Sequence, residues 1–290
     1  MILIADSGST KSTWRAVLPD GLSYEVHTSG INPVRDDEAA MRQVVQEACS
    51  SLSGEVHFGD DATFGAAFTS IHFYGAGCLP AFTAPLEKVL RAAFPKAKLI
   101  IESDLLGAAH ALCGRREGIA CILGTGSNSC LYDGRQIVRN VSPLGWILGD
   151  EGSGAVLGRL LVGDVLKGQL PDEVCQAFFQ RFNLQRADII EAVYRQPQAN
   201  RFLASLVPFL SEHRDVDAVR RLLTDEFRRF FVRNVASYGR RDLPVGFIGS
   251  VAHYFRAELT AAAAAEGFAI GEILQDPMPR LVEYIQEDAQ

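Results

Sequence analysis

The sequence predicts an α/β protein of two domains, each built on a partly parallel sheet. The main observation is that a small-residue turn after a short apolar run occurs twice, at residues 6–11 and 124–129. Both times, a second strand-like run and an Asp-Gly turn follow, which is a strong hairpin signal. In both halves these first strands precede segments that alternate between helix and strand, as expected where helices connect parallel strands.

The first domain begins with a strand–turn–strand meander over residues 1–28, and Gly30 to Pro33 interrupt it. A helix over residues 36–52 comes next, with an acidic first turn that suits the helix dipole. The remaining predicted elements are a buried strand at 70–74, a helix at 80–94, a strand at 98–101 and a helix at 103–112 capped by Ser103.

The second domain repeats this order from Gly118 onward. We expect a long amphipathic helix within residues 215–238, because its apolar side chains recur near one face. The other predicted elements are strands at 120–123, 129–132, 136–140 and 245–248, a mostly helical region between 154 and 239, and helices at 251–265 and 281–286.

The expected domains are residues 1–115 and 116–290, with a helical insertion in the second and the terminal helix (about 281–290) docking back on the first. No stretch near the boundary is rich in Gly, Ser or Pro. We therefore expect two lobes that share a tight hinge above a cleft.

Composition excludes several classes of protein. A net charge of −7 over 290 residues, with no run of Lys or Arg, argues against nucleic acid as a partner. No apolar stretch reaches the roughly 20 residues of a membrane span, and the first residues lack the features of a signal peptide. Six scattered cysteines without a CxxC pair suggest reduced thiols, and hence a cytoplasmic protein.

The first small-residue turn follows Asp6, which ends a predicted buried strand. Glycine lets a backbone approach a ligand closely, and successive N–H groups can hold an anion. A carboxylate beside bound phosphates is a common ligand of Mg²⁺, although Asp also favours turns for purely structural reasons.

Asp104 stands at the start of a predicted helix, directly after a strand. An acidic residue in a first helical turn is common, and this is the simpler interpretation. The functional interpretation is a general base that accepts a hydroxyl proton from a rigid position.

Two further segments are candidate ligand sites. Residues 144–154 surround Trp146, Asp150 and Glu151 with glycines, so the Trp could face a sugar ring and a carboxylate could accept its hydroxyls; a tight turn with Trp146 in the core is the alternative. Gly249-Ser250 lies between a strand and a helix, where a nucleotide could bind.

The P-loop, Rossmann, nucleophile-elbow and HExxH motifs are absent from the sequence.

Taken in order, five motifs resemble the N-acetylglucosamine kinase and BadF/BadG-type ATPase family, within the actin-like, sugar-kinase and Hsp70 superfamily. They are Asp6-x-Gly8-x-Thr10, Asp104, Gly124-Thr125-Gly126-Ser127-Asn128, Gly149-Asp150-Glu151-Gly152-Ser153 and Gly249-Ser250-Val251. The resemblance implies two RNase H-like (actin-like ATPase) domains with ATP in the cleft between them.

The resemblance also implies roles for individual residues. Asp6 would hold Mg²⁺, directly or through water, and Asp104 would take the proton of a sugar 6-hydroxyl. The residues implied to bind ATP are Gly8, Ser9, Thr10, Lys11, Gly124, Thr125, Gly126, Gly249 and Ser250. Those implied to bind the amino sugar are Asn32, Asp104, Thr125, Asn128, Trp146 and Asp150.

The expected activity is therefore ATP-dependent phosphorylation of an amino sugar, in the first instance N-acetylglucosamine to its 6-phosphate. Glucosamine, N-acetylmuramic acid and N-acetylmannosamine remain open as substrates. An activator-type or sugar-sensing ATPase is the alternative outside the kinases, although the paired cysteines of iron–sulfur activators and a helix-turn-helix extension are not evident. A homodimer is compatible with the sequence, but no feature requires it.

Overall fold

The computed structural model describes residues 1–8, 10–56 and 61–288. The chain divides into two compact units. The first contains Met1–Ala111 and Pro277–Gln290, and the second contains Leu112–Asp276.

A five-stranded sheet with the order β3-β2-β1-β4-β5 forms the centre of the first unit. Its strands are β1 (Ile2–Ser7), β2 (Lys11–Val17), β3 (Ser23–Ser29), β4 (Ser70–Gly75) and β5 (Lys98–Ser103). The first three form an antiparallel meander, whereas β4 and β5 run parallel to β1. Gly21 makes the β2–β3 turn with a positive φ of 87°, which explains the Asp-Gly signal.

The helices that accompany these strands are α1 (Glu38–Val56), α2 (Asp61–Ala66), α3 (Ala84–Ala93) and α4 (Asp104–Cys113). Helix α1 packs on β3 and α3, and α3 packs on β5. The buried side chains between them include Trp14, Phe73 and Leu86. The parallel part of this mixed sheet has helical connections, and it places the carboxyl ends of β1, β4 and β5 at one edge.

The second unit repeats this sheet. Its strands are β6 (Gly118–Leu123), β7 (Ser127–Tyr132), β8 (Ile137–Asn140), β9 (Val245–Ile248) and β10 (Ile270–Leu274). The strands β6, β7 and β8 form an antiparallel meander, and β9 and β10 extend the sheet parallel to β6. Both sheets therefore have the same order and directions, which matches the repeated turn in the sequence.

Most helices of the second unit are inserted between β8 and β9. They are α5 (Gly145–Leu148), α6 (Gly154–Leu166), α7 (Asp172–Phe182), α8 (Arg186–Tyr194), α9 (Ala199–Ser205), α10 (Pro208–Glu212), α11 (Asp217–Arg233) and a 3-10 helix at Val235–Tyr238. After β9 come α12 (Ser250–Tyr254) and α13 (Arg256–Ala265). Helix α11 buries Phe227, Phe230 and Phe231 in the core of this unit.

The last helix, α14 (Met278–Asp288), belongs to the first unit, where it packs on β1. Its residues Met278, Leu281 and Ile285 are buried. In the described part of the chain, no helix is both long and apolar enough to cross a bilayer.

The predicted fold class is confirmed, with differences at the level of elements. The helix predicted at 251–265 is divided at Phe255, whose backbone (φ −108°, ψ 30°) leaves the helical region. The long amphipathic helix predicted within 215–238 is present as α11, which ends at Arg233 and is followed by the 3-10 helix. Helix α2 and strand β10 were not predicted.

Candidate active site

The turn between β1 and β2 is fixed at its base by buried hydroxyls. The Oγ atoms of Ser7 and Ser12 lie 2.6 Å apart, and Ser7 Oγ accepts a hydrogen bond from Ile31 N at 2.9 Å. The N–H of Gly8 donates to the carbonyl of Lys11 at 3.0 Å, which closes the turn. Thr10 and Lys11 are exposed, as phosphate-contacting residues would need to be. Ser9, another predicted ATP contact, lies outside the described residues.

Asp6 is half-buried near the carboxyl end of β1. In the sheet register it stands beside Tyr74 on β4, which in turn stands beside Glu102 on β5. Because residues in register share a face of the sheet, all three belong to the same face. This face therefore carries two carboxylates at the edge where the three parallel strands end.

Asp104 is the first residue of α4, directly after β5. The cap predicted at Ser103 is present, since its Oγ accepts a hydrogen bond from Leu106 N at 3.2 Å. Asp104 Oδ1 accepts one from Leu105 N at 2.9 Å. Burial raises the pKa of the Asp104 carboxyl to about 6, although its backbone hydrogen bonds act in the opposite direction. At neutral pH the group is thus ionised but more basic than an ordinary aspartate.

The loop after β4 lies near both Asn32 and Asp104. Gly77 has a φ of +76°, and a Cβ at this position would overlap the side-chain oxygen of Asn32. The neighbouring Cys78 is buried, and burial together with the charges of Asp104 and Glu102 raises the pKa of its thiol to about 12. In the first unit, one short loop therefore contacts Asn32 through Gly77 and lies near Asp104 at Cys78.

The second small-residue turn, Gly124-Thr125-Gly126, links β6 to β7 in the second unit. The carbonyls of Gly124 and Thr125 accept hydrogen bonds from Gly154 N at 2.8 Å and Ala155 N at 3.0 Å, which ties the turn to the start of α6. Nothing lies within 4 Å of the position that a Cβ of Gly124 would take. The backbone of this turn can therefore be approached closely by a ligand.

Gly249 lies against the same turn. Its φ is +122°, and a Cβ there would overlap the carbonyl oxygen of Leu123, directly before Gly124. Ser250, which begins α12, is exposed. The second unit thus brings the predicted phosphate turn and the predicted adenosine-contacting residues together.

Asp150 also approaches this turn. Its Oδ2 lies 3.1 Å from the position of a Cβ on Gly126, and its carboxylate accepts a hydrogen bond from the N–H of Ser127. Burial raises the pKa of Asp150 to about 6. Its backbone is left-handed (φ +51°), which is uncommon for a residue other than glycine and is tolerated best by Asn and Asp.

Trp146 and Asn128 complete the predicted set in the second unit. Trp146, on α5, is partly buried against the core, so the core interpretation of this residue is partly correct. Asn128 Oδ1 accepts hydrogen bonds from Ser129 N and Asn140 Nδ2, each at 2.9 Å. Asn140 was not singled out from the sequence, because nothing local connects it to Asn128.

Comparison with solved structures identifies the family. A putative N-acetylglucosamine kinase from Porphyromonas gingivalis shares 48% sequence identity with this chain, with 100% of both chains covered and a TM-score of 0.93. The chain belongs to the N-acetylglucosamine kinase family. No protein-family model and no curated protein sequence matches it.

More distant structures share the fold of this N-acetylglucosamine kinase family member. A protein of the same description from Chromobacterium violaceum is 18% identical over 98% of both chains, with a TM-score of 0.75. The ethanolamine utilization protein EutJ from Carboxydothermus hydrogenoformans is 14% identical, covering 98% of this chain and 88% of its own, with a TM-score of 0.56. The fold, with its two five-stranded sheets, is thus common to proteins of low sequence identity.

Proposed function

We propose that this protein is an ATP-dependent sugar kinase that transfers the γ-phosphoryl group of ATP to the 6-hydroxyl of N-acetylglucosamine. The family membership supports the enzyme class. The proposed reaction depends mainly on one observation. Asp104 is a half-buried carboxylate at the start of a helix, and its pKa is raised to about 6. Such a group is ionised near neutral pH and basic enough to assist the attack of a hydroxyl.

The proposed nucleotide contacts are the two small-residue turns and the β9–α12 turn. Gly124 is open to a ligand, and Gly126 follows it in a turn that is held by α6. Gly8, Thr10 and Lys11 would contribute in the first unit. Backbone N–H groups in such turns bind phosphate oxygens, and the Lys11 ammonium adds positive charge.

Asp6 would hold Mg²⁺, directly or through water. The described residues contain no cluster of three or more metal-ligating side chains. This fits Mg²⁺ in a kinase, because the ion usually takes one or two carboxylates and completes its shell with water and phosphate oxygens. The ion would neutralise charge on the phosphates during transfer.

The proposed sugar contacts are polar side chains in both units: Asn32, Asn128 and Asp150, with Trp146 as an apolar surface. Asp150 is held by Ser127 N–H, so its carboxylate has a fixed direction from which to accept sugar hydroxyl hydrogen bonds. Asp104 would accept the proton of the 6-hydroxyl as that oxygen attacks the γ-phosphorus. The bond from this phosphorus to the leaving oxygen breaks, and ADP and the sugar 6-phosphate are the products.

The decisive experiment measures ADP release from MgATP with a panel of sugars and a no-sugar control. We expect strong stimulation by N-acetylglucosamine and detection of its 6-phosphate by mass spectrometry. Stimulation by glucosamine, N-acetylmuramic acid or N-acetylmannosamine instead would change the substrate and keep the enzyme class. Hydrolysis that is independent of sugar would contradict the kinase proposal and favour an activator or sensor ATPase.

A further inference from the structure

Helix α11 is connected to the loop that carries Asp150 by a buried carboxylate. Glu226, in the middle of this helix, is 2% exposed. Its Oε1 accepts a hydrogen bond from the backbone N–H of Gly152 at 3.1 Å. Burial of a carboxylate costs free energy unless the group is paired or hydrogen-bonded. The hydrogen bond from Gly152 offsets part of this cost.

The loop around Gly152 depends on α11 for contacts that it cannot make itself. Gly152 has a φ of +73° and lies against Phe227 and Phe230, with atoms of both at 3.4 Å from a Cβ placed on it. Its neighbour Glu151 forms an ion pair with Arg233 and accepts a hydrogen bond from Asn234 Nδ2 at 3.2 Å. Two consecutive loop residues are thus anchored to one helix.

The second oxygen of Glu226 faces a compensating charge. Glu226 Oε2 lies 3.7 Å from Arg229 Nη1, one turn further along α11. Both residues line a cavity of about 350 Å³ between α6 and α11. The arginine reduces the cost of burying the carboxylate, and Glu226 can therefore remain an acceptor for the Gly152 N–H.

We propose that Glu226 is a positioning residue for the amino sugar: by holding Gly152, it fixes the loop from which Asp150 reaches the substrate. Asp150 is two residues from Gly152 and has a left-handed backbone, and Ser153 N donates to its carbonyl at 3.0 Å. A loop with two positive-φ residues needs external support to keep one conformation. The inference rests on the proposed role of Asp150 in binding the sugar.

The end of the loop next to the proposed phosphate turn is held by other hydrogen bonds. The N–H groups of Gly154 and Ala155 donate to the Gly124-Thr125 turn without involving Glu226. Loss of the Glu226 contact should therefore affect the sugar more than ATP. This difference separates a positioning role from a general contribution to folding.

The test uses Glu226→Ala, the conservative Glu226→Gln, and Glu258→Ala as a matched control. Glu258 is a buried glutamate of the same unit whose Oε2 has no hydrogen-bond partner among the described residues. We expect Glu226→Ala to raise the KM for the sugar on the order of 10-fold to 100-fold, with a much smaller change for ATP. Glu226→Gln keeps an acceptor oxygen and should stay within about threefold of the unmodified protein.

Amide hydrogen exchange over residues 149–154 provides a readout that does not need a sugar. Glu226→Ala should accelerate exchange there, whereas Glu226→Gln and Glu258→Ala should not. Unchanged exchange in Glu226→Ala, or a lower kcat with an unchanged sugar KM, would overturn the proposal. If the unmodified protein phosphorylated no sugar, the proposed function would be wrong, and so would the sugar-positioning role; accelerated exchange would then show a loop anchor alone.

Discussion

At the residue scale, Asp104 combines a fixed position with a perturbed proton affinity. The cap at Ser103 fixes the first turn of α4, and burial raises the pKa of the Asp104 carboxyl to about 6. An acidic residue in a first helical turn is an ordinary sequence feature, so the local sequence favoured this simpler interpretation over a general base. The burial that favours the second interpretation depends on the tertiary structure.

Asp104→Asn should lower kcat by about 10²–10⁴ and leave the KM for the sugar nearly unchanged, because an amide cannot accept the proton. Below pH 6 the unmodified enzyme should lose activity as Asp104 is protonated, so kcat should rise with pH and level off above about 7. Steady-state kinetics across this range check both expectations. Near-normal turnover in Asp104→Asn would exclude Asp104 as the base.

The same substitution should stabilise the protein near neutral pH. The pKa of Asp104 is about 6 in the folded state against about 4 for an ordinary aspartate, so the folded state binds a proton more tightly. The free energy of unfolding therefore falls as pH rises between these values, and the penalty persists above them. Asp104→Asn removes a penalty of at most on the order of 3 kcal/mol.

Thermal unfolding at pH 4 and pH 7.5 provides the measurement. The Tm of Asp104→Asn should exceed that of the unmodified protein at pH 7.5, and the difference should shrink at pH 4. Asp133→Asn is the opposite control, because hydrogen bonds from the Gln136 and Arg135 N–H groups lower the pKa of Asp133. Its Tm should be reduced at pH 7.5, since the favourable ionised form is lost. A lower Tm for Asp104→Asn than for the unmodified protein at pH 7.5 would contradict the inference that the ionised Asp104 carboxylate destabilises the folded state.

At the element scale, the repeated turn made both sheets predictable. Each Asp-Gly hairpin marks a strand boundary with a positive-φ glycine, Gly21 in the first unit and Gly134 in the second, a backbone conformation that few other residues adopt. Strand β10 gives a weaker signal, because the two exposed residues at its centre, Gly271 and Glu272, are of types that are uncommon in strands. The division between α12 and α13 at Phe255 has no helix-breaking residue to reveal it.

The β9–α12 turn gives a prediction that depends on one glycine. Gly249→Ala would place a Cβ against the carbonyl of Leu123 at a φ of +122°, a strain of about 1–3 kcal/mol from the backbone alone. Relief of the overlap would displace the Gly124 turn. We expect a lower Tm and a KM for ATP raised by at least about 10-fold, because a shift of a ligand-binding turn by roughly 1 Å weakens its contacts with the ligand.

Gly163→Ala on α6 is the matched control for this change. A Cβ at Gly163 meets nothing within 4 Å, and alanine is favoured over glycine inside a helix by up to about 1 kcal/mol. Its Tm should be unchanged or higher, with the same KM for ATP. If Gly249→Ala behaved like Gly163→Ala, the turn would not depend on glycine.

At the scale of the whole molecule, the chain order and the spatial order differ in ways that sequence patterns cannot show. Glu226 and Gly152 are separated by 74 positions, and Glu226 appears in the sequence as one more polar residue of an amphipathic helix. Likewise, nothing in the sequence of α14 specifies which strands it contacts. The motifs indicated candidate site residues, whereas the contacts that support these residues depend on the fold.

The packing of α14 within the first unit should contribute to the stability of that unit. Leu281 is fully buried on this helix, and Tyr284 stacks on His110 of α4 with ring centroids 4.1 Å apart. Leu281→Ala should destabilise the protein by about 2–5 kcal/mol through loss of buried apolar contacts and the resulting cavity. Because α14 packs on β1, the effect should concentrate in the first unit.

Amide hydrogen exchange can locate this effect. Leu281→Ala should accelerate exchange in β1 much more than in β6, its counterpart in the second unit, since each sheet has its own hydrophobic core. Gln286→Ala, an exposed position on the same helix, should leave both strands unchanged. Equal acceleration in β1 and β6 would mean that the two units open together, and their division into separate cooperative units would then be wrong.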